Sequence, residues 1–208
     1  MKKIRTLLFD LGGVLIEVDP DRGLSLLQTQ MHPSVSKRRL HHVLYNADLL
    51  ERYERGKIDS ESFYREVQKQ LRQSISFNAF RNAWQGIFRP NRPMIEFLKR
   101  MKKEYQLVLI SNTNELHMEC ILKRFAFMKD FDCCIYSYRT GYVKPEKEIY
   151  LAALRICGAE AGSSLFIDDS ASNIEGAQRL GIRSLHFTGN NEFLSLWESS
   201  DFHSLNGA

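Results

Sequence analysis

The chain has 208 residues, of which 43% are hydrophobic and 26% charged, and its net charge is +4. That length holds one domain, or one domain with an insert, and buries a sizeable core. So small a positive excess suits an anionic small molecule and argues against nucleic acid as a partner, and no apolar stretch is long enough for a membrane span or a signal peptide.

Cys120, Cys133, Cys134 and Cys157 contain no CxxC spacing, and the adjacent pair Cys133-Cys134 is a poor disulfide partnership. They are expected to be reduced, mostly buried thiols of a cytoplasmic protein. His117 and Cys120 share a helix face, but no second ligand pair completes metal-finger spacing.

Ile4–Asp10 reads as the first strand: an apolar run ended by Asp10 and followed at once by Gly12 and Gly13. A run of this kind suits a strand buried on both faces. An extended piece, Val14–Val18, leads to Asp19-Pro20, and from Asp21 to about Phe88 the pattern turns helical. Leu40, Val43 and Leu44 share one face, Leu49, Leu50 and Tyr53 another, and Phe63, Val67 and Leu71 a third, restarted at Asp59-Ser60-Glu61. A further helix covers Ser76–Phe88, so residues 19–88 are predicted to form an all-helical insert of about four helices.

Residues 1–18 and 89–208 supply the rest. Strands are predicted at Tyr105–Ile110, Asp132–Tyr136, Leu165–Ile167 and Ile182–Phe187, with helices between them. Pro145 suits a helix start, Gly158 and Gly181 suit helix ends, and Ser172 with Glu175 has capping-box spacing. Phe193–Trp197 reads as a last short helix and the tail after Asp201 as loose. Alternating strands and helices predict an α/β fold, a doubly wound parallel sheet with helices on both faces.

Chemistry gathers at the predicted strand ends. Asp10, Ser111-Asn112 and Asp168-Asp169 each close a strand, and Lys144 precedes a helix. Open α/β sheets bind ligands at that edge. Three clustered carboxylates repel one another unless a hard divalent cation such as Mg²⁺ joins them. The cation, Lys144 and a helix amino end after Ser111 would attract a phosphate. Any one of these features alone is as well read as a turn or a cap.

The set FDLGGVL, ISNTN, YVKPE and FIDDSASNIEGAQRLG resembles the four motif regions of the haloacid dehalogenase superfamily, in its phosphatase-like branch with a small helical cap and Rossmann-like core. The last motif and the ERGKI stretch look closest to bacterial sugar-phosphate phosphatases of the alpha-glucose-1-phosphatase kind. The resemblance covers nearly the whole chain and implies Asp10 as the nucleophile that forms an aspartyl-phosphate. It implies Mg²⁺ held by Asp10, the Gly12 carbonyl and Asp169, with Asp168 direct or through water. Ser111 and Lys144 match its phosphate binders, and Asn112 adds a hydrogen bond nearby. The implied substrate is a small phosphorylated metabolite, and nothing in the chain demands more than a monomer.

Gly12 departs from the superfamily pattern, in which most phosphatases carry an acid–base Asp at that position. General acid–base catalysis is worth about 10²–10⁴-fold. Glu17, Asp19 or a residue of the insert could replace it, or the substrate could have a good leaving group. The competing readings are a metal-free 2-haloacid dehalogenase, against which Asp168-Asp169 argues, and a slow or non-catalytic phosphate binder. Lys37-Arg38-Arg39 with His41 and His42 reads as a solvated helix face. Arg52, Arg55 and Lys57 divide between surface charge and substrate contact, and Trp84 and Phe88 read as core packing.

Overall fold

The structure is a computed structural model that describes residues 2–31 and 35–199; the tail expected to be loose lies outside the described residues. Five parallel strands form the sheet: β1 (Thr6–Phe9), β4 (Gln106–Ser111), β5 (Cys133–Tyr136), β6 (Ser164–Asp168) and β7 (Arg183–His186), in the order β5-β4-β1-β6-β7. β1 lies at the centre, with Phe9 in register with Leu109 on one side and Ile167 on the other. The order of connection reverses across β1, and α/β sheets bind ligands beside such a reversal.

Burial on both faces explains why the strands read as unbroken apolar runs. Leu7, Phe9, Leu107, Leu109, Leu165 and Ile167 belong to one core cluster. Leu8, Val108, Ile110 and Phe166 belong to the other. The first layer is completed by α6 (Arg92–Met101), α7 (Glu115–Arg124) and α11 (Asn190–Glu198), the second by α9 (Lys147–Ile156) and α10 (Ala171–Gln178).

The insert contains five helices among the described residues: α1 (Pro20–Thr29), α2 (Lys37–Leu44), α3 (Ala47–Glu54), α4 (Ser60–Leu71) and α5 (Phe77–Gln85). The count exceeds the expected four or so because Asp19-Pro20 opens a helix of its own, with Asp19 accepting from Arg22 N at 3.0 Å and Pro20 in the first turn. Gly23 lets α1 lie close on α5, since a Cβ there would come 2.9 Å from Ala83 O. The insert has its own core around Phe63, whose ring stacks on Tyr53 at 4.5 Å.

Chain enters and leaves the insert through a two-stranded antiparallel ribbon, β2 (Ile16–Val18) with β3 (Phe88–Pro90). Asn91 binds the two crossings together: its N–H donates to Leu15 O at 3.0 Å and its Nδ2 to Val14 O at 2.7 Å.

Three local expectations are corrected. Cys133 and Cys157 form a disulfide, while Cys120 and Cys134 stay free; α9 runs back along the sheet and sets its end beside the start of β5. The helix after Asp169 begins at Ala171 with Ser170 as its cap residue, so Ser172 lies inside it and bonds Ser170 Oγ at 2.9 Å instead of capping. Pro145 stands before α9, whose cap residue is Glu146.

Candidate active site

Parallel register brings the strand ends to one edge. Asp10 follows β1 directly, Ser111 ends β4, and Asp168 ends β6. Asp10 N donates to Ile167 O at 2.9 Å, which places its side chain beside Asp168. Oxygens of Asp10, Asp168 and Asp169 lie within 4.8 Å of one another.

Lys144 reaches this cluster from the loop between α8 (Ser137–Thr140) and α9. Its Nζ lies 2.6 Å from Asp10 Oδ1 and 2.7 Å from Asp168 Oδ2, with the side chain buried. Asn112 fixes the backbone beneath it: Lys144 N donates to Asn112 Oδ1 at 2.8 Å, and Asn112 Nδ2 donates to Lys144 O at 3.0 Å. The Asn112 amide therefore positions Lys144, besides lining the cavity described below.

Asp168 is held on both oxygens. Its Oδ1 accepts from Ser170 N at 2.8 Å and Asn173 Nδ2 at 3.0 Å, and its Oδ2 takes Lys144. Asp169 is exposed and packs on Gly13, where a Cβ would meet Asp169 Oδ2 at 2.0 Å. Gly13 has a φ of +76° as well, so glycine is required there on two counts.

Burial raises the Asp10 carboxyl above its usual value against the pull of Lys144. Burial alone would lower the Lys144 ammonium, but Asp10 and Asp168 together raise it, so the lysine stays charged. Asp169 is raised by burial and by Asp168. A cation beside Asp10 and Asp169 would favour their ionised forms and relieve both shifts. Hard oxygen donors at this spacing fit Mg²⁺.

At the amino end of α7, where an anion site is expected, three amides already have partners. Thr113 N donates to Ser137 Oγ, Leu116 N to Tyr53 Oη and His117 N to Asn114 Oδ1. Those three amides are thus engaged within the protein, while the Ser111 hydroxyl and the Lys144 ammonium lie at the same sheet edge.

A cavity of about 200 Å³ opens over this edge, between core and insert. Gly12, Ser111 and Asn112 form its floor, and Tyr45, Leu50, Glu54 and Trp84 of the insert its roof. Trp84 and Phe88, expected as core packing, are buried and also wall the cavity. Glu17 and Asp19 do not line it: Glu17 is exposed on the ribbon, and Asp19 caps α1 and faces Arg89. The Lys37–Arg39 face is exposed. Arg55 turns away from the cavity to Glu146. Sequence reading gave no role to Asn173, Glu146 or Glu54, although each lies in a quoted stretch, FIDDSASNIEGAQRLG, YVKPE and ERGKI respectively.

A carboxylate cluster at the edge of a doubly wound sheet, roofed by a helical insert, defines a hydrolase class. The model of the haloacid dehalogenase-like hydrolases matches residues 4–181, and the chain belongs to that family. It is 24% identical over 186 residues to the D-ribitol-5-phosphate phosphatase of Bacteroides thetaiotaomicron, covering 86% of this chain and 89% of the relative. It is 29% identical over 192 residues to the sesquiterpene phosphatase astK of Aspergillus oryzae, covering 87% and 88%. An enzyme of the family from Bacteroides thetaiotaomicron, solved as a magnesium complex, superposes with a TM-score of 0.83 at 25% identity, over 95% of this chain and all of that one. The same enzyme with magnesium and inorganic phosphate gives 0.79 at 26% identity, over 88% and 93%. No helix among the described residues is long and apolar enough to cross a membrane.

Proposed function

We propose that the protein is a Mg²⁺-dependent phosphatase that hydrolyses a small phosphomonoester through an aspartyl-phosphate on Asp10. The observation that carries this is Lys144 bridging Asp10 and Asp168, with Asp169 alongside, at the sheet edge where the neighbouring Gly12 and Ser111 line a cavity. Asp10 is the nucleophile: it attacks phosphorus and the ester bond to the leaving oxygen breaks. Lys144 holds Asp10 in place and meets the phosphoryl oxygens together with the Ser111 hydroxyl. Asn112, by gripping the Lys144 backbone, orients both. Asp10, Asp169 and the Gly12 carbonyl would hold Mg²⁺, with Asp168 direct or through water, and the ion supplies charge against the transferring group.

The three-carboxylate cluster disfavours the metal-free dehalogenase reading, which has no use for it. A sugar phosphate remains the substrate that the motif resemblance implies. The cavity supports a second reading, a leaving group with an apolar face, because Leu11, Ile16, Leu50, Ile87 and Phe88 supply much of its wall. The ribitol phosphate and sesquiterpene phosphate relatives span this choice. The test is phosphate release with Mg²⁺ from a panel holding sugar, polyol, aryl and prenyl phosphates. Turnover on one class, absent from Asp10→Asn, supports the reading; no release from any of them overturns it.

A further inference from the structure

Gly12 leaves the leaving oxygen without a proton donor from the floor of the cavity. The roof supplies one. We propose that Glu54, the last residue of α3, is the general acid and base of the reaction, contributed by the helical insert in place of a side chain at position 12. This rests on the phosphatase reading above.

Geometry carries the assignment. Glu54, Gly12 and Ser111 line the same cavity, Glu54 from the insert and the other two from the core. Among the described residues, the Glu54 carboxyl has no hydrogen bond or ion pair of its own. Its neighbours in sequence hold it there. Tyr53 Oη accepts from Leu116 N at 3.2 Å, tying the helix end to the segment after Ser111. Arg55 donates to both oxygens of Glu146 at 2.6 and 2.9 Å, and to Gly141 O at 3.1 Å, tying it to the loop that carries Lys144. Gly56, with a φ of +65°, brings the turn so close that a Cβ would lie 2.1 Å from Tyr138 O. A carboxyl between two such anchors is held at the wall of the cavity that Ser111 also lines.

The other titratable groups of the cavity are unsuited. Burial pushes Tyr45 up to about 12, with Asp21 and Asp19 adding to it. Burial drives His117 down to about 3 against a weak pull from the Trp84 backbone, so it is a neutral imidazole. Burial and then Glu51 on the same helix raise Glu54 to about 7, with the charge of Lys144 opposing them. An acid poised near neutrality can both give and take a proton.

The protons balance. As Asp10 attacks and the ester bond breaks, the Glu54 carboxylic acid protonates the leaving oxygen and becomes a carboxylate. That carboxylate then takes a proton from water as the water oxygen attacks phosphorus, the Asp10–phosphorus bond breaks, and inorganic phosphate leaves. Glu54 ends protonated and Asp10 ionised.

The experiment measures kcat/KM across phosphate esters of graded leaving-group pKa, in the parent, Glu54→Gln, Glu54→Asp and Glu54→Gln/Gly12→Asp. Position 12 accepts a side chain, because a Cβ there would meet only Val18 Cγ2, at 3.4 Å. Glu54→Gln should lose on the order of 10²–10³-fold on alkyl phosphates and little on aryl or acyl phosphates, so that its dependence on leaving-group pKa steepens. Glu54→Asp should keep the shallow dependence, and Gly12→Asp should restore part of the alkyl activity to Glu54→Gln. With an acyl phosphate, Glu54→Gln should accumulate phosphoprotein, read by intact mass, because water attack lacks its base. Parallel slopes in parent and Glu54→Gln, with no phosphoprotein, overturn the role of Glu54 and leave the phosphatase reading intact. Absence of any Asp10-dependent turnover in the parent overturns both.

Discussion

Arg55 of the insert lies bidentate on Glu146 of the core, Nη2 at 2.6 Å from Oε1 and Nη1 at 2.9 Å from Oε2. Glu146 also accepts from Val143 N at 3.1 Å, and Lys144 stands between these two residues. One carboxylate therefore couples the roof of the cavity to the loop that supplies the lysine of the carboxylate cluster. The Arg55 side chain is 13% exposed and that of Glu146 36%, so the pair is partly shielded from water and stronger than a surface ion pair. An insert that opens on the ribbon must break this contact, and one that closes remakes it.

Arg55→Met should lower kcat/KM by about 10- to 100-fold, the scale for misplaced catalytic groups, with Asp10, Lys144 and the sheet unchanged. Hydrogen exchange should quicken in the ribbon segments 15–19 and 88–93. Arg55→Lys should not restore the parent, since an ammonium cannot make the paired contact. Parental kinetics and protection in Arg55→Met would show that closure does not depend on this contact.

Asp10→Asn should keep the fold and phosphate binding and lose turnover by about 10³-fold or more, as the loss of a nucleophile does. The amide keeps the shape of the carboxylate but neither attacks phosphorus nor pairs with Lys144. Calorimetric phosphate binding and turnover, measured on one contaminant-free preparation, separate the two effects. Near-parental turnover would sink the assigned chemistry.

Asp169 is the exposed member of the cluster, and its carboxylate makes no contact with Lys144. Asp169→Asn should weaken Mg²⁺ binding by tenfold or more, on the order of the loss seen when a ligand set is disturbed. Lys144 should stay in place. Excess chelator should abolish parent activity, and Mg²⁺ should restore it. Full activity in chelator would instead favour the dehalogenase chemistry.

The sheet was legible because its strands are buried on both faces, which leaves runs such as Leu7–Phe9 and Leu107–Ile110 without polar interruption. Asp10, Ser111 and Asp168 were legible because each ends such a run. What the sequence hid depends on distant segments meeting. Asn173 reaches Asp168 only because α10 starts at Ala171. Cys133 finds Cys157 only through the return path of α9. Glu54 reads as one more charge on an amphipathic helix until Arg55 meets Glu146, 91 residues away. The local rules of strands and caps carry no information about where an insert docks.

Glu54 should also leave a mark on stability that is independent of catalysis. Burial and Glu51 raise its carboxyl from 4.5 to about 7, so the folded chain holds that proton more tightly than the unfolded chain does. The contribution is fully present below about pH 4.5 and is lost as pH rises through about 7, where the carboxyl ionises against its surroundings. Glu54→Gln stays neutral throughout and lacks this loss. Its Tm minus that of the parent should therefore increase by a few degrees between pH 5 and pH 8, with most of the change before pH 7. The measurement is thermal unfolding of both proteins across that range, in chelator and without phosphate, so that ligand binding adds nothing of its own. A difference that stays flat with pH would mean that Glu54 does not titrate in this window, and the proton donor would have to be sought elsewhere in the cavity.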